Sequence, residues 1–237
     1  MNSWDLRKRG NLLFALLILI CVIEIHSCRN DLSLIVHERK ISKRIKDGLF
    51  NVKYPELKYS GNNSQKVCDS INSNIKSFVN SLMKEMDFNE NCEFKLERKS
   101  CGRELKIDYN LDVFDKDYIS ARFTIYSYQG GAHGLTYYKC FNFSVQRAEQ
   151  LKLSDLLYLK QKKELQVLNK LLVKYFENPD QCFSEMPSIT PDFEFFSYQN
   201  DSFIFSFSDN SLGDYVCGTA EIKIPLWELK QNGLLRL

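Results

Sequence analysis

The string Tyr126-Ser127-Tyr128-Gln129-Gly130-Gly131-Ala132-His133-Gly134 is where residue types and spacing could do chemistry. Three glycines within five positions let a backbone adopt positive φ and approach another group closely, which suits a tight bend or a row of amides presented to an anion. His133 sits among them and could act as a base or a ligand. No Ser, Cys and carboxylate around it fall in the order of a nucleophile elbow, so a turn histidine bonded to backbone accounts for it better than a catalytic one. Tyr126, Tyr128, Tyr137 and Tyr138 flank the loop and form a candidate ligand- or partner-facing patch. The candidate binding residues are therefore Tyr126, Tyr128, Gly130, Gly131, His133, Gly134 and Tyr137, with no catalytic residue assigned.

Other chemistries find no support. The sequence contains no G-x-x-x-x-G-K phosphate loop, no G-x-G-x-x-G and no H-E-x-x-H. Asp112 with Asp115 or Asp117 falls in an expected turn, where capping and solvation explain the carboxylates better than acid–base work. No cysteine pair is spaced C-x-x-C, and beyond the leader only His37 and His133 remain, so neither a metal nor another cofactor is expected. A formal net charge of +2 over 237 residues argues against nucleic acid.

The eight cysteines ask for a compartment first. Arg7, Lys8 and Arg9 precede an uncharged apolar run from Leu12 to Ile23, then Glu24, Ile25, His26, Ser27 and Cys28. That order reads as an export signal, and the run falls short of the ~20 apolar residues that span a bilayer. Three fates stay open for residues 1–28: cleavage near Ser27, acylation of Cys28, or retention as an anchor through which the N-terminus meets the membrane. In each the body lies outside the cytoplasm. Removing the leader takes three basic and two acidic residues and leaves a near-neutral body. Six cysteines remain there, Cys68, Cys92, Cys101, Cys140, Cys182 and Cys217, and three disulfides are expected among them. Cys92 with Cys101 and Cys182 with Cys217 are plausible pairs. Asn62, Asn142 and Asn200 begin N-x-S triplets, which matter only in a host that glycosylates exported proteins.

The elements that must position these residues show in the periodicity. Residues 29–48 form a polar, basic tether or first strand containing Arg39, Lys40, Lys43, Arg44 and Lys46; a solvated stretch explains the charges better than a lipid or polymer contact. Val67, Ile71, Ile75, Phe78, Leu82 and Met86 recur at helical steps. Leu105 to Val113 and Ile119 to Ile125 then alternate, giving an antiparallel hairpin. A third strand follows Gly130-Gly131 with Tyr137, Phe141, Phe143 and Val145 on one side. Leu165, Leu168, Leu172 and Phe176 mark a second helix ended by Asn178-Pro179. Strands are expected at Phe193–Phe196, Phe203–Phe207 and Thr219–Ile224. The fold class is α+β, antiparallel sheets with two amphipathic helices packed on them, over 49–237, divisible at 49–150 and 151–237.

Tyr128-Gln129-Gly130-Gly131-Ala132-His133-Gly134, followed by Leu151-Lys152-Leu153-Ser154-Asp155-Leu156-Leu157 and by Ile224-Pro225-Leu226-Trp227-Glu228-Leu229, resembles an extracytoplasmic domain of unknown function. That domain is shared by the lysozyme-sensing anti-sigma factor RsiV and PdaC-type peptidoglycan deacetylases. Departures are Phe141-Asn142-Phe143-Ser144, where members carry Asn and Asp, and Leu157 in place of phenylalanine. Only eleven residues precede Leu12, so RsiV's sigma-binding segment has no counterpart and an anti-sigma role is not expected. No stretch resembles the metal-dependent deacetylase domain. The resemblance thus implies a non-catalytic cell-envelope module that binds a protein, lysozyme-like in kind, or a cell-wall glycan. The alternative is an accessory module of a polysaccharide-modifying enzyme. A near-neutral body offers no strong steering toward cationic lysozyme.

Overall fold

A computed structural model describes residues 34–45, 48–59, 65–88, 102–114 and 118–236. The leader with Cys21 and Cys28, and also Asn62, Cys92, Cys101, Asp115 and Asp117, lie outside the described residues. No described helix is long and apolar enough to cross a membrane.

Strands β1 (Leu34–Ile45) and β2 (Gly48–Tyr59) pair antiparallel in unbroken register. From Leu34 onward, the stretch read as a tether or first strand is an edge strand. Its Ile41 packs against the core while Arg39, Lys40, Lys43 and Arg44 stay exposed, so it is half wet. Helix α1 (Gln65–Phe88) follows, then β3 (Arg103–Phe114), β4 (Tyr118–Tyr128), β5 (Leu135–Ser144) and the two-residue β6 (Glu149–Gln150). They complete one six-stranded sheet in sequence order. It is mixed rather than wholly antiparallel, because β2 and β3 run parallel across the helical crossover that joins them.

Period and burial agree along α1. Val67, Cys68, Ile71, Ile75, Val79 and Met86 are buried, and Phe78, Leu82 and Met83 pack beside them. They meet Leu105 and Ile107 of β3, Ile119, Ala121, Phe123 and Ile125 of β4, and Phe141 and Phe143 of β5. Phe78, Phe123 and Phe141 stand edge to face with centroids 5.6–5.8 Å apart. The buried rings of Phe123 and Phe141 contribute about 1.5–3 kcal/mol each over their exposed state, and the partly buried Phe78 less.

The second layer holds α2 (Leu153–Leu156), α3 (Lys162–Tyr175), an antiparallel sheet of β7 (Phe196–Gln199), β8 (Ser202–Phe207) and β9 (Ala220–Pro225), and α4 (Leu226–Gln231). Carboxylates start the first two helices: Asp155 accepts from the Lys152 amide at 2.8 Å and Glu164 from the Gln161 amide at 3.0 Å. β7 begins at Phe196, where the expected strand ends. Asn200 and Asp201 then turn it into β8 with φ of 47° and 61°, as a two-residue hairpin requires. The strand expected at Thr219–Ile224 is β9, and the chain turns into a helix after Pro225, which occupies the cap. Lys174 and Tyr175 of α3 hold the buried Glu228 of α4 at 3.0 and 2.7 Å, and the Tyr175 hydroxyl leads in holding that carboxyl below its ordinary range.

The layers meet on the even-numbered face of β4 and β5. Arg122 reaches Glu221 at 2.6 Å, and the Tyr138 hydroxyl lies 2.9 Å from Thr219 Oγ1 and 3.2 Å from Glu221. Asn142 Nδ2 donates to the Phe196 carbonyl at 2.9 Å, its Oδ1 accepts from Ser120, and Ser120 Oγ accepts from the Tyr198 amide. Asn142 is thereby buried in the joint, which withdraws its N-x-S triplet from any modifying enzyme in the folded protein.

The cysteines divide differently from three expected bridges. Cys182 and Cys217 are joined, with Cα atoms 5.6 Å apart. Cys68 and Cys140 are free thiols, both buried. Cys68 packs in the α1 core, whereas Cys140 alternates with core-facing Phe141 and points to the other face, so the sheet separates them. Burial pushes Cys68 up to about 11 and Cys140 up to about 12. Alkylation of the native protein should therefore stay slow between about pH 7 and 9, and both thiols should react once the chain unfolds. Non-reducing peptide mapping should return Cys182 joined to Cys217; either buried cysteine in a bridge, or rapid native labelling, contradicts this arrangement.

Candidate functional site

β4 and β5 carry the glycine loop between them, and their alternation decides which side chains reach it. Ile125 belongs to the α1 core, so its neighbours Tyr126 and the equivalent Tyr128 point to the opposite side. Gly130 turns the chain with φ +82°, in the left-handed region that favours glycine. The Tyr128 hydroxyl donates to the Gly131 carbonyl at 2.9 Å and fastens the bend. Gly134 is buried beneath the Tyr126 ring, where a Cβ would sit 2.5–2.6 Å from the ring and its hydroxyl. The glycine is needed there for close approach.

His133 ends the loop. Its Nδ1 lies 3.2 Å from the Gly134 carbonyl, and because a carbonyl can only accept, Nδ1 is the donor in that contact. The imidazole stacks on Tyr215 with centroids 3.7 Å apart and planes 19° from parallel. Tyr215 opens the short 3-10 turn Tyr215–Cys217, whose last residue is bridged to Cys182. Beside the stack Val216 is 83% exposed and Leu135 43%. Asp209 secures this edge from below: its carboxylate accepts from the Thr136 amide at 2.7 Å while its own amide donates to the Thr136 carbonyl at 3.0 Å. Burial raises the Tyr126 hydroxyl, and Glu104, Tyr215 and Tyr128 push it the same way, as expected where acidic groups cluster at one rim.

The structure thus brings together Tyr126, Tyr128, Gly130, Gly131, His133 and Gly134. Tyr137 does not join them, since its ring packs against the α1 core. Tyr138 is buried in the joint between the sheets, bonded to Thr219 and Glu221, and its hydroxyl is pushed up to about 12 by burial. Residues absent from the sequence reading are Leu135, Asp209, Tyr215 and Val216. The last three stand more than seventy positions from the loop and have no spacing relation to it.

A cavity of about 300 Å³ lies elsewhere, lined by Cys140, Asn142, Lys152, Asp192, Phe193 and Glu194 among others, and no glycine-loop residue lines it. Among the described residues no group of three or more His, Cys, Asp or Glu comes together to hold a metal ion.

An α+β fold of one mixed and one antiparallel sheet, with a glycine-loop rim where they meet, is the class these features define. The model of the family described as "Deacetylase PdaC" matches residues 43–136, from the second half of β1 through the glycine loop. The chain has the fold of two solved structures. One is a member of the DUF3298 family from Bacteroides fragilis, 18% identical, with a TM-score of 0.59 over 86% of this chain and 94% of that one. The other is a DUF3298 family protein from Pseudomonas aeruginosa, 14% identical, with a TM-score of 0.55 over the same two shares. No curated protein matches the chain.

Gly134→Ala should destabilise the protein by about 1–2 kcal/mol, the range of a modest overpacking, and Gly134→Ala combined with Tyr126→Ala should show a smaller loss than the two singles added. Urea unfolding of the four proteins measures this. Strict additivity would mean that the glycine is not there to admit the ring.

Proposed function

We propose that this chain is an exported, non-catalytic binding module of the cell envelope, which recognises a protein, lysozyme-like in kind, or a cell-wall glycan through the glycine-loop rim. The observation that carries the reading is the His133–Tyr215 stack. The imidazole spends one face on a tyrosine ring and its Nδ1 on a backbone carbonyl, which holds it as a rigid aromatic contact beside exposed Val216 and Leu135. Rigid aromatic and apolar groups on a pinned edge are what an interface needs, because little conformational entropy is lost when they are covered. Glu104 and the Tyr126 and Tyr128 hydroxyls supply polar groups at the rim. A leader ending near Cys28, the Cys182–Cys217 bridge and the match to the PdaC model all support an extracytoplasmic address, with the N-terminus tethering the body to the membrane if the leader is retained or acylated.

The deacetylase in the name of the matched family favours a second reading, an accessory module of a peptidoglycan- or polysaccharide-modifying enzyme. The two readings separate experimentally. The immobilised protein should retain hen lysozyme or solubilised peptidoglycan fragments, and Tyr215→Ala or Val216→Asp should weaken that retention about tenfold, the scale of one interfacial anchor. Muropeptides incubated with the protein should come back unchanged. Absence of retention, together with turnover that His133→Ala abolishes, would sink the binding reading and leave the enzymatic one.

A further inference from the structure

We infer that β1 is a docking edge for an acidic, extended segment of another protein, which adds to it as a seventh strand. The strand stands at the end of the six-stranded sheet and pairs only with β2 among the described strands. Twelve residues in regular register extend about 40 Å, and one row of their amides and carbonyls faces outward. Proteins usually close such an edge with proline, a bulge or brevity. β1 has no proline and no glycine, and its register with β2 is continuous from Leu34 to Ile45.

Charge identifies the occupant. Arg39, Lys40, Lys43 and Arg44 are all exposed, and Glu38 is the one acidic residue of the strand. A second copy of β1 laid on this edge would set cation against cation, which disfavours self-pairing. Side-chain alternation also separates a partner strand from an anionic surface. Arg39 and Lys43 flank Ile41 on the face turned toward the α1 core, whereas Lys40 and Arg44 lie on the opposite face. A flat membrane gathers cations from one face. A chain running along the edge, with side chains alternating as those of β1 do, reaches both sets. The ion pairs Arg39–Glu56 and Lys40–Glu38 are exposed and worth little, so acidic side chains of an incoming strand can replace them. Ile35 and Val36, 45% and 42% exposed, offer that strand an apolar contact at one end.

The full-length protein in detergent, titrated with a fluorescent twelve-residue peptide alternating glutamate with valine and threonine, tests this by anisotropy. Saturable binding is expected, weakening roughly tenfold or more from low to physiological salt and absent for the glutamine counterpart. Charge reversal at Arg39, Lys40, Lys43 and Arg44 together should abolish it. Far-UV circular dichroism and the melting curve show whether that variant is folded. The peptide N-methylated at every second amide, prepared in both phases, keeps its charge but in one phase cannot pair with the edge. Equal binding of both phases would overturn strand addition even if the variant fails to fold. Phosphatidylglycerol vesicles form the last arm: vesicle binding without peptide binding would replace the proposal with a membrane contact. No binding to either would refute it outright. None of these results bears on retention through the His133 rim, so the two readings fail separately.

Discussion

The joint between the two sheets depends on a buried arginine. Arg122 projects from the middle of β4, is 5% exposed, meets Glu221 of β9 at 2.6 Å and lies over the Tyr138 ring at 5.7 Å. Its Nε has no hydrogen-bond partner among the described residues, a cost that the rest of the guanidinium must offset. Such a pair contributes little net stability, because desolvation consumes most of the attraction. What it does is penalise every other docking. If the second sheet slid by one residue, Glu221 would leave a charge buried alone.

The neighbouring polar groups obey the same constraint. Ser120, Asn142 and Tyr138 occupy the face of β4 and β5 that a solvated antiparallel sheet would turn to water. Here each is satisfied by the second layer, through the Tyr198 amide, the Phe196 carbonyl and the Thr219 side chain. Further along β5, Asp209 and Thr136 exchange two hydrogen bonds and hold the turn that bears Tyr215 against the glycine loop. The His133–Tyr215 stack is thus a consequence of docking, because its rings come from opposite layers. The Cys182–Cys217 bridge then limits how far that turn can move.

Much of this was legible in the chain. The α1 stripe, the β3–β4 alternation, the break at Gly130-Gly131 and the leucine stripe of α3 all follow local periods, and local periods report burial on one face. Other features were not. The parallel pairing of β2 with β3 depends on where a crossover lands, which no period encodes. For β1 the sequence left a tether and a first strand open, because a strand wet on most of its surface is too basic to resemble a core strand. The cysteine count suggested three staples, yet Cys68 and Cys140 behave as small buried hydrophobes on opposite faces of the sheet. Tyr137 and Tyr138, adjacent in sequence, go to two different interiors for the same reason of alternation.

By itself the sequence determined the α+β class, two of the helices, most of the strands and the glycine loop with His133. Each rests on a pattern contained within a short window. The tertiary structure alone decided that the polar face of β4 and β5 is covered, that Tyr215 comes to stand against the glycine loop, and that Cys182 and Cys217 meet while Cys68 and Cys140 stay apart. Those outcomes depend on side chains brought together across two sheets, and distance along the chain carries no record of which residues will complement one another there.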